Sequence, residues 1–442
     1  MDAAMVSRLA GPEGAEVFAH LPADYDPDAA LRANTRLRSL GYPVEVIAAA
    51  LSQWELRHRA RPKFGPEAAQ MFFTRDGLEQ STRDPVADLH ARRLASAGVR
   101  HVWDLGCGIG GDALAFRRHG MTVTAIESDP LTAAVARANL TSTRRSSEGA
   151  ATVRTVRVEE VLADWEDAAA ALSGRRPGDH AVWLDPARRT SGVSDAAGRT
   201  HRIRSARDMT PPWDVVLRAV RSVPTAGVKV GASFNAERLE TGTQAQWVSV
   251  DNQAVECVVW WGLAATGSGS RVASVRNRGI WHHLASDDSA MGATPEYPGD
   301  AGAAQVVAGA YVCEADPAVA AAGLRSQVCR QSGATELGAA NYLLSPQPID
   351  LPWARCWQIN EVLPLSVKAL RAWARKNDIG PLTLKKPPGR STSPLARLDP
   401  ENLRAKIGAR GSGSATLLLT EINDHDATAA LWICPVDERS GD

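Results

Sequence analysis

A glycine-rich segment directly after a short apolar stretch is the feature that most restricts how this chain can fold. Residues 101–112 read HVWDLGCGIGGD, and the first five have the composition of a short buried strand. Gly106, Gly108 and Gly110 allow the backbone to turn sharply after that strand and to approach a ligand closely. A helical pattern follows and runs through Arg118. A strand, a glycine turn and a helix in this order are typical of the ligand-binding edge of a parallel sheet.

Strand-like and helical patterns alternate after this segment. The strand patterns are MTVTAIESDP, ATVRTVRVEE, DHAVWLDPARR and GVKVGAS, and the helical patterns between them include LTAAVARANL and PPWDVVLRAV. This alternation predicts a mostly parallel sheet with crossover helices. Two more strand patterns flank residues 251–253 and predict an antiparallel hairpin at the end of the sheet. We therefore expect a Rossmann-like α/β domain over residues 96–265.

The remaining sequence predicts three further regions. Helical spacing of apolar residues in VIAAALSQWEL and PVADLHARRLASAG predicts a helical region over 1–95. Residues 264–305 are rich in Ser, Gly and Asp, which predicts a loop or link, and we expect 266–353 to be a linker and mixed connecting region. From 354 to 442, the order strand, helix, strand, helix, strand, strand predicts a small α+β domain.

Composition excludes several classes of site. Lys plus Arg and Asp plus Glu number 50 each, so no overall charge attracts the chain to nucleic acid. The six cysteines show no paired spacing of a zinc site or a disulfide framework, and the histidines show no metal-like spacing, so we expect no metal. No apolar run approaches the roughly 20 residues of a membrane span, and no signal peptide is indicated. These features predict a soluble protein of the reducing cytoplasm, with no membrane partner.

Two carboxylates stand at predicted strand ends beside the glycine turn. Asp104 is placed to accept a hydrogen bond from a ligand ammonium group, and Glu127, at the end of the second strand, is placed to bind ribose hydroxyls. An acid two residues before the first glycine and the complete D-x-G-x-G-x-G pattern favour S-adenosylmethionine as the ligand. A dinucleotide is the alternative ligand, because Gly106, Gly108 and Gly111 also satisfy G-x-G-x-x-G; a purely structural turn is the other alternative.

Several motifs together resemble one family. They are DLGCGIGGD (104–112), DPARR (185–189), TPPW (210–213), GVKVG (227–231), the lead-in FTRDGLEQST (73–82) and the end segment from LTLKK to LLLTEI. From about residue 50 to the end, the chain resembles bacterial class I S-adenosylmethionine-dependent methyltransferases with a C-terminal THUMP-like domain. The resemblance implies a class I methyltransferase sheet and this cofactor. The candidate cofactor-binding residues are Asp104, Gly106, Cys107, Gly108, Gly110, Asp112, Glu127, Glu159, Gln80 and Thr82.

The candidate catalytic residues follow the fourth predicted strand. Asp185 and Pro186 stand where amino-methyltransferases carry D-P-P-Y, whose carboxylate orients an amine and whose aromatic ring stacks on a base. Ala187 and Arg188 replace the second Pro and the aromatic residue here. Trp213 can supply the ring from the next loop, or it can anchor a helix start in the core. For Asp185, the alternative to an orienting role is a helix cap.

A THUMP-like domain generally implies RNA, and basic residues cluster in two places. Six arginines lie within residues 188–207, and residues 371–410 hold ten Lys or Arg against three acids. The candidate RNA-binding residues are Arg188, Arg189, Lys385, Lys386 and Arg390. A solvated loop or face is the alternative for each cluster. We predict a methyltransferase acting on a nitrogen of an RNA base; the alternatives are a small-molecule or protein methyltransferase and a non-catalytic RNA-binding protein.

Overall fold

The computed structural model describes residues 1–142, 148–163, 179–186, 189–194, 200–202, 210–235, 239–265, 267, 269–287, 306–337, 341–386, 394–422 and 427–436, with 189–194 and 200–202 described by their backbone alone. The chain divides into two compact units. The first comprises Met1–Val230, Glu240–Thr243 and Val258–Thr266; the second comprises Gly231–Leu239, Gln244–Cys257 and Gly267–Asp442.

The described helices and strands are numbered in chain order. The helices are α1 (Ala3–Leu9), α2 (Pro12–Ala19), α3 (Pro27–Ser39), α4 (Val44–Phe64), α5 (Arg75–Gln80), α6 (Asp84–Ser96), α7 (Gly111–Arg118), α8 (Pro130–Ser142), α9 (Val158–Ala163), α10 (Trp213–Arg221), α11 (Pro317–Ala321), α12 (Arg325–Ser332), α13 (Val367–Lys376) and α14 (Pro400–Ile407). Short 3₁₀ helices cover Gly65–Ala69 and Pro394–Arg397. The strands are β1 (His101–Leu105), β2 (Thr122–Glu127), β3 (Ala151–Thr155), β4 (His180–Leu184), β5 (Arg189–Ser194), β6 (Thr200–Arg202), β7 (Thr225–Val230), β8 (Thr243–Val250), β9 (Gln253–Gly262), β10 (Arg271–Asn277), β11 (Ile280–Ala285), β12 (Tyr311–Ala315), β13 (Thr335–Leu337), β14 (Tyr342–Ser345), β15 (Ala354–Pro364), β16 (Ile379–Lys385), β17 (Gly413–Ile422) and β18 (Ala427–Pro435).

Helices fill the first 96 residues of the first unit, as their apolar spacing predicts. The two predicted helical segments lie in α4 and α6. Asp26 caps the start of α3 by accepting a hydrogen bond from the Asp28 N–H, and Pro27 occupies the first position of that helix. The apolar faces of these helices join the core cluster that also contains the sheet residues Val102, Val123 and Trp183.

The sheet of the first unit has the strand order β3-β2-β1-β4-β7, with residues 258–262 of β9 beyond β7. Strands β3, β2, β1, β4 and β7 run parallel, which confirms the predicted sheet. Leu105 at the end of β1 is paired with Ile126 of β2 and with Leu184 of β4. The residues that directly follow β1 and β4, and the last residue of β2, therefore meet at one edge of the sheet.

In the second unit, β8 and the first half of β9 form the predicted hairpin. Its turn residues Asp251 and Asn252 have φ angles of 48° and 63°, which is the conformation that tight hairpin turns require. The expectation of a loop over 264–305 is wrong for 271–285. There β10 pairs with β8 in parallel and with β11 in antiparallel orientation. The turn of this second hairpin is at Arg278 and Gly279, which both have positive φ angles. The prediction missed it because it relied on the high Ser, Gly and Asp content of the whole segment.

A seven-stranded sheet in the order β13-β14-β12-β15-β18-β17-β16 completes the second unit. From β15 onward the elements follow the predicted order, and α13 and α14 cover one face through Leu370, Trp373 and Leu403. Cys313 and Cys356 are directly paired across β12 and β15 and form a disulfide, which corrects the expectation drawn from cysteine spacing. The two cysteines are 43 residues apart, and the strand register brings them together. Within the described part of the chain, no helix combines the length and the apolar character that crossing a membrane requires.

Candidate active site

The glycine turn lies between β1 and α7 and is fixed to the end of β2. The N–H groups of Gly106 and Cys107 donate to the carbonyl oxygen of Ile126 at 2.9 and 3.0 Å. Gly106 and Gly108 have φ angles of 92° and 54°, a region that side chains disfavour. A Cβ atom on Gly108 would meet nothing within 4 Å, and one on Gly106 would meet the Asp185 carbonyl oxygen at 3.8 Å. The turn is thus a cradle of bare backbone that borders open space.

Asp104 is buried directly in front of this cradle. Its side chain is 1% exposed, and its Oδ2 atom has no hydrogen-bond partner among the described residues. Burial raises the pKa of this carboxyl well above its ordinary value; the charges of Asp112, Asp185 and Glu127 raise it further, and Lys229 opposes them. A buried carboxylate oxygen without a partner is costly, so a cationic ligand donating a hydrogen bond there would relieve that cost.

Glu127 joins the end of β2 to the glycine cradle. Its Oε2 atom accepts from the Gly108 N–H at 3.1 Å, and its Oε1 atom accepts from the Asp129 N–H at 2.9 Å. Burial raises the pKa of this carboxyl, while these backbone donors oppose the rise. Each carboxylate oxygen can accept more than one hydrogen bond, so Glu127 retains the capacity to bind hydroxyl groups.

Asp112, in the first turn of α7, is held by neighbouring side chains. The Thr82 hydroxyl donates to its Oδ2 at 2.7 Å, His90 Nδ1 lies 2.9 Å from its Oδ1, and Lys229 Nζ lies 3.7 Å from its Oδ2. Burial disfavours its ionisation, but Lys229, His90 and Thr82 outweigh burial and lower the pKa well below the ordinary range. Two predicted cofactor contacts, Thr82 and Asp112, are therefore bound to each other.

Lys229 connects this group to Asp185. Its ammonium group donates to Asp185 Oδ2 and, at 2.7 Å, to Thr82 Oγ1. The Lys229 side chain is 5% exposed, whereas that of Asp185 is 32% exposed. We call Thr82, His90, Asp112, Asp185 and Lys229 the Lys229 network. The network extends from the buried interior to an accessible carboxylate at the end of β4.

The segment that carries Thr82 is fixed by residues distant in sequence. The Asn139 side chain accepts from the Phe72 N–H and donates to the carbonyl oxygens of Phe72 and Ile109, which ties the segment to the glycine turn. Gln53 makes a second paired contact with the backbone of Phe73 at 2.9 and 2.7 Å. The lead-in to the predicted methyltransferase domain is therefore part of the wall around the cradle.

The other predicted site residues of the first unit vary in position. Pro186 is buried directly after Asp185, and Cys107 is buried within the glycine turn, where burial raises its thiol pKa. Trp213 is the half-buried first residue of α10, a helix that packs against β4 and β7. Gln80 is exposed at the end of α5. Glu159 follows β3 as expected, and its carboxylate lies 3.5 Å from Arg157.

The candidate RNA-binding lysines make contacts inside the second unit. Lys386 Nζ donates to the carbonyl oxygens of Ala396 and Leu398 at 3.1 and 2.6 Å. Lys385 Nζ lies 3.4 Å from Glu314 and 3.9 Å from the centre of the Trp357 ring. These contacts give both lysines a structural role as well. Arg188, Arg390 and the Arg189 side chain lie outside the described residues.

Sequence reasoning missed four polar residues that build this site: Lys229, His90, Asn139 and Gln53. A signal was present for Lys229, because a single charge interrupts the apolar strand TAGVKV, in which every residue is buried. His90 lies on the apolar face of α6, where sequence alone does not distinguish a partnered histidine from a core residue. Asn139 and Gln53 gain their roles only through long-range contacts.

Comparison with known proteins agrees with this architecture. Residues 354–435 match the THUMP domain-like family, and residues 2–60 match a domain of unknown function named DUF8688. A Mycobacterium tuberculosis H37Rv protein, described as an uncharacterised S-adenosylmethionine-dependent methyltransferase, is 27% identical over 379 residues, which is 83% of this chain and 90% of the relative. The same identity and coverage hold for its counterpart in strain CDC 1551. The crystal structure of a Porphyromonas gingivalis W83 protein assigned as a methyltransferase matches with a TM-score of 0.70 and 19% identity, covering 99% of this chain and 100% of that one, and it shows a shared fold.

Proposed function

We propose that this chain, a class I S-adenosylmethionine-dependent methyltransferase with a C-terminal THUMP-like domain, methylates a nitrogen of an RNA base. The observation that carries the proposal is the pairing of β1 with β4. It brings the unpartnered carboxylate of Asp104 and the accessible carboxylate of Asp185 to one sheet edge, beside a turn of bare backbone. Asp104 suits a cationic cofactor, and Asp185 suits an acceptor amine.

The residues around the cradle fit S-adenosylmethionine. This cofactor supplies an electrophilic methyl group on a positively charged sulfur. Asp104 would accept a hydrogen bond from its ammonium group, Glu127 would bind its ribose hydroxyls, and Gly106 and Gly108 would admit it close to the backbone. Asp112 and Asp185 also place negative charge near Asp104, which Lys229 only partly offsets, and this favours a cationic ligand.

Asp185 is the residue placed to orient the acceptor. Its carboxylate accepts a hydrogen bond from an N–H group of the base and so directs the nitrogen lone pair. In the proposed reaction, the acceptor nitrogen would form a bond to the methyl carbon as the carbon–sulfur bond breaks. The electron pair of that bond would stay on sulfur, and the nitrogen would then release a proton to water. Trp213, at the start of α10, is the candidate for stacking on the base.

The THUMP-like domain supports RNA as the acceptor through its exposed charge. Helices α13 and α14 and the residues after them present the exposed side chains Lys368, Arg371, Arg375, Lys376, Arg404, Lys406 and Arg410. A surface of this kind binds the phosphate backbone with little sequence preference. Base selection then depends on the site at the end of β4.

A labelled-methyl transfer assay tests this function. The protein is incubated with cofactor carrying a tritiated methyl group and with total RNA, total protein or a small-molecule extract. We expect label in RNA, its loss in Asp185→Ala, and its retention in the control Asp214→Asn, an exposed acid of α10. Label in protein or small molecules would favour a methyltransferase that acts on proteins or small molecules. Binding of S-adenosylhomocysteine without label in any fraction would favour a non-catalytic RNA-binding protein.

A further inference from the structure

Lys229 is an unusual residue for its position. It lies in β7, a strand whose six residues are all buried, and its ammonium group reaches Asp185, Thr82 and Asp112 together. Burying an ammonium group is costly, and replacing a buried ion pair by apolar residues often leaves stability unchanged or improved. Packing alone therefore does not explain a lysine here.

The contacts of Lys229 divide between the two sides of the site. Asp185 is the accessible acid at the acceptor side, whereas Thr82 and Asp112 adjoin the glycine cradle. Among the described residues, Lys229 is the group that hydrogen-bonds the Asp185 carboxylate, and it does so through Oδ2 alone. The Oδ1 atom remains available for a second donor.

We propose, building on the proposed function, that Lys229 is a positioning residue that holds Asp185 Oδ2 so that Oδ1 can orient the acceptor amine relative to the cofactor. The ammonium group fixes the rotation of the carboxylate and ties it, through Thr82 and Asp112, to the helix that follows the cradle.

The kinetics of methyl transfer from labelled cofactor to total RNA test the positioning role. In Lys229→Met we expect kcat to fall about 10- to 100-fold, as misplacement of a reacting group does, with the KM for cofactor and the Kd for S-adenosylhomocysteine changed less than about threefold. Lys229→Arg, which keeps the charge, should recover part of kcat. The control Arg100→Met removes a cation whose side chain is 81% exposed at the opposite end of β1 and should match the native protein. A loss of S-adenosylhomocysteine affinity with unchanged kcat would overturn the proposal.

A second measurement requires no methyl acceptor. The free energy of unfolding in urea is measured for Lys229→Met, Asp185→Asn and the double variant. If the two side chains are paired, the double variant should be less destabilised than the sum of the single variants. Additive effects would overturn the proposed pairing. Should the native protein label no RNA, the RNA function fails, while this cycle still decides whether Lys229 holds Asp185.

Discussion

Asp104 and Asp112 stand on either side of the glycine turn in sequence, and their pKa values are displaced in opposite directions. Burial together with nearby acids raises the pKa of Asp104, whereas Lys229, His90 and Thr82 overcome burial at Asp112 and lower its pKa. Two carboxylates with such different environments suit different tasks. Asp112 is a fixed negative charge of the framework, and Asp104 is an acid whose ionised form a cationic ligand would stabilise.

Ligand binding at Asp104 is therefore expected to release a proton. A ligand ammonium group favours the ionised form, so affinity for S-adenosylhomocysteine should increase with pH up to the raised pKa of free Asp104 and then level off. Asp104→Asn should bind about 10- to 100-fold more weakly, because it loses a charge-assisted hydrogen bond, and should lose this pH dependence. Calorimetry in two buffers of different ionisation enthalpy measures the number of protons released on binding. Binding of the native protein without proton exchange at any pH would contradict this role.

At Asp112 the pH dependence should appear in stability. Its folded-state pKa is lower than the roughly 3.9 of an unfolded chain, so its contribution to stability is fully present above that value and is lost progressively as the pH falls from there towards the lower pKa of the folded state. Asp112→Asn should lower the free energy of unfolding at pH 7 by about 3 kcal/mol, as breaking a buried ion pair does. The difference between the two proteins should narrow as the pH decreases from about 5 to 3. Urea unfolding at several pH values checks this, and a constant difference would refute it.

The glycine cradle allows a matched comparison of two alanine substitutions. Gly108 and Gly41 both have positive φ angles, 54° and 86°, and a Cβ on either would meet nothing within 4 Å of the protein. Gly108→Ala and Gly41→Ala should therefore each destabilise the fold by about 1 kcal/mol through backbone strain. Gly108→Ala alone should also weaken S-adenosylhomocysteine binding at least about tenfold, because its methyl group enters the ligand space. Equal affinities of the two variants would place the ligand elsewhere.

The basic face of α13 should determine the salt dependence of RNA binding. Replacing Arg375 and Lys376 by Ser should weaken binding to all RNA sequences similarly and reduce the slope of log affinity against log salt by about one per removed contact. Arg36→Ser on α3, also an exposed basic residue, provides the control. Fluorescence anisotropy at several salt concentrations measures both quantities. An unchanged slope would remove this helix from the RNA interface.

Lys386 is less suitable for such a test. Its ammonium group serves two backbone carbonyls, so Lys386→Met should lower the thermal stability of the protein whether or not it touches RNA. A fall in RNA affinity could then come from the weakened fold or from a lost RNA contact. A melting temperature equal to that of the native protein would show that these carbonyl contacts contribute nothing to the fold.

The sequence allowed the sheet and one edge of the site to be predicted because both follow from short-range rules. A strand, a glycine turn and a helix are local, and acids at the ends of parallel strands meet at one edge, which brings Asp104, Glu127 and Asp185 together. Lys229 escaped prediction because its partners lie 44 and 147 residues away along the chain. The Cys313–Cys356 bond escaped for the same reason, since strand register and not spacing creates it. For β10 and β11, local composition masked a pairing that depends on β8.

The hydrogen bond from the Phe72 N–H to Asn139 has a consequence for synthesis. These residues are separated by 67 positions, so Phe72 leaves the ribosome well before its partner exists. The Phe73 backbone can pair with Gln53 of α4 as soon as both have emerged, but the peptide groups of Phe72 stay solvated until α8 follows. This wall of the ligand pocket is therefore complete only after α8 has emerged, and Lys229 on β7 joins the site later still.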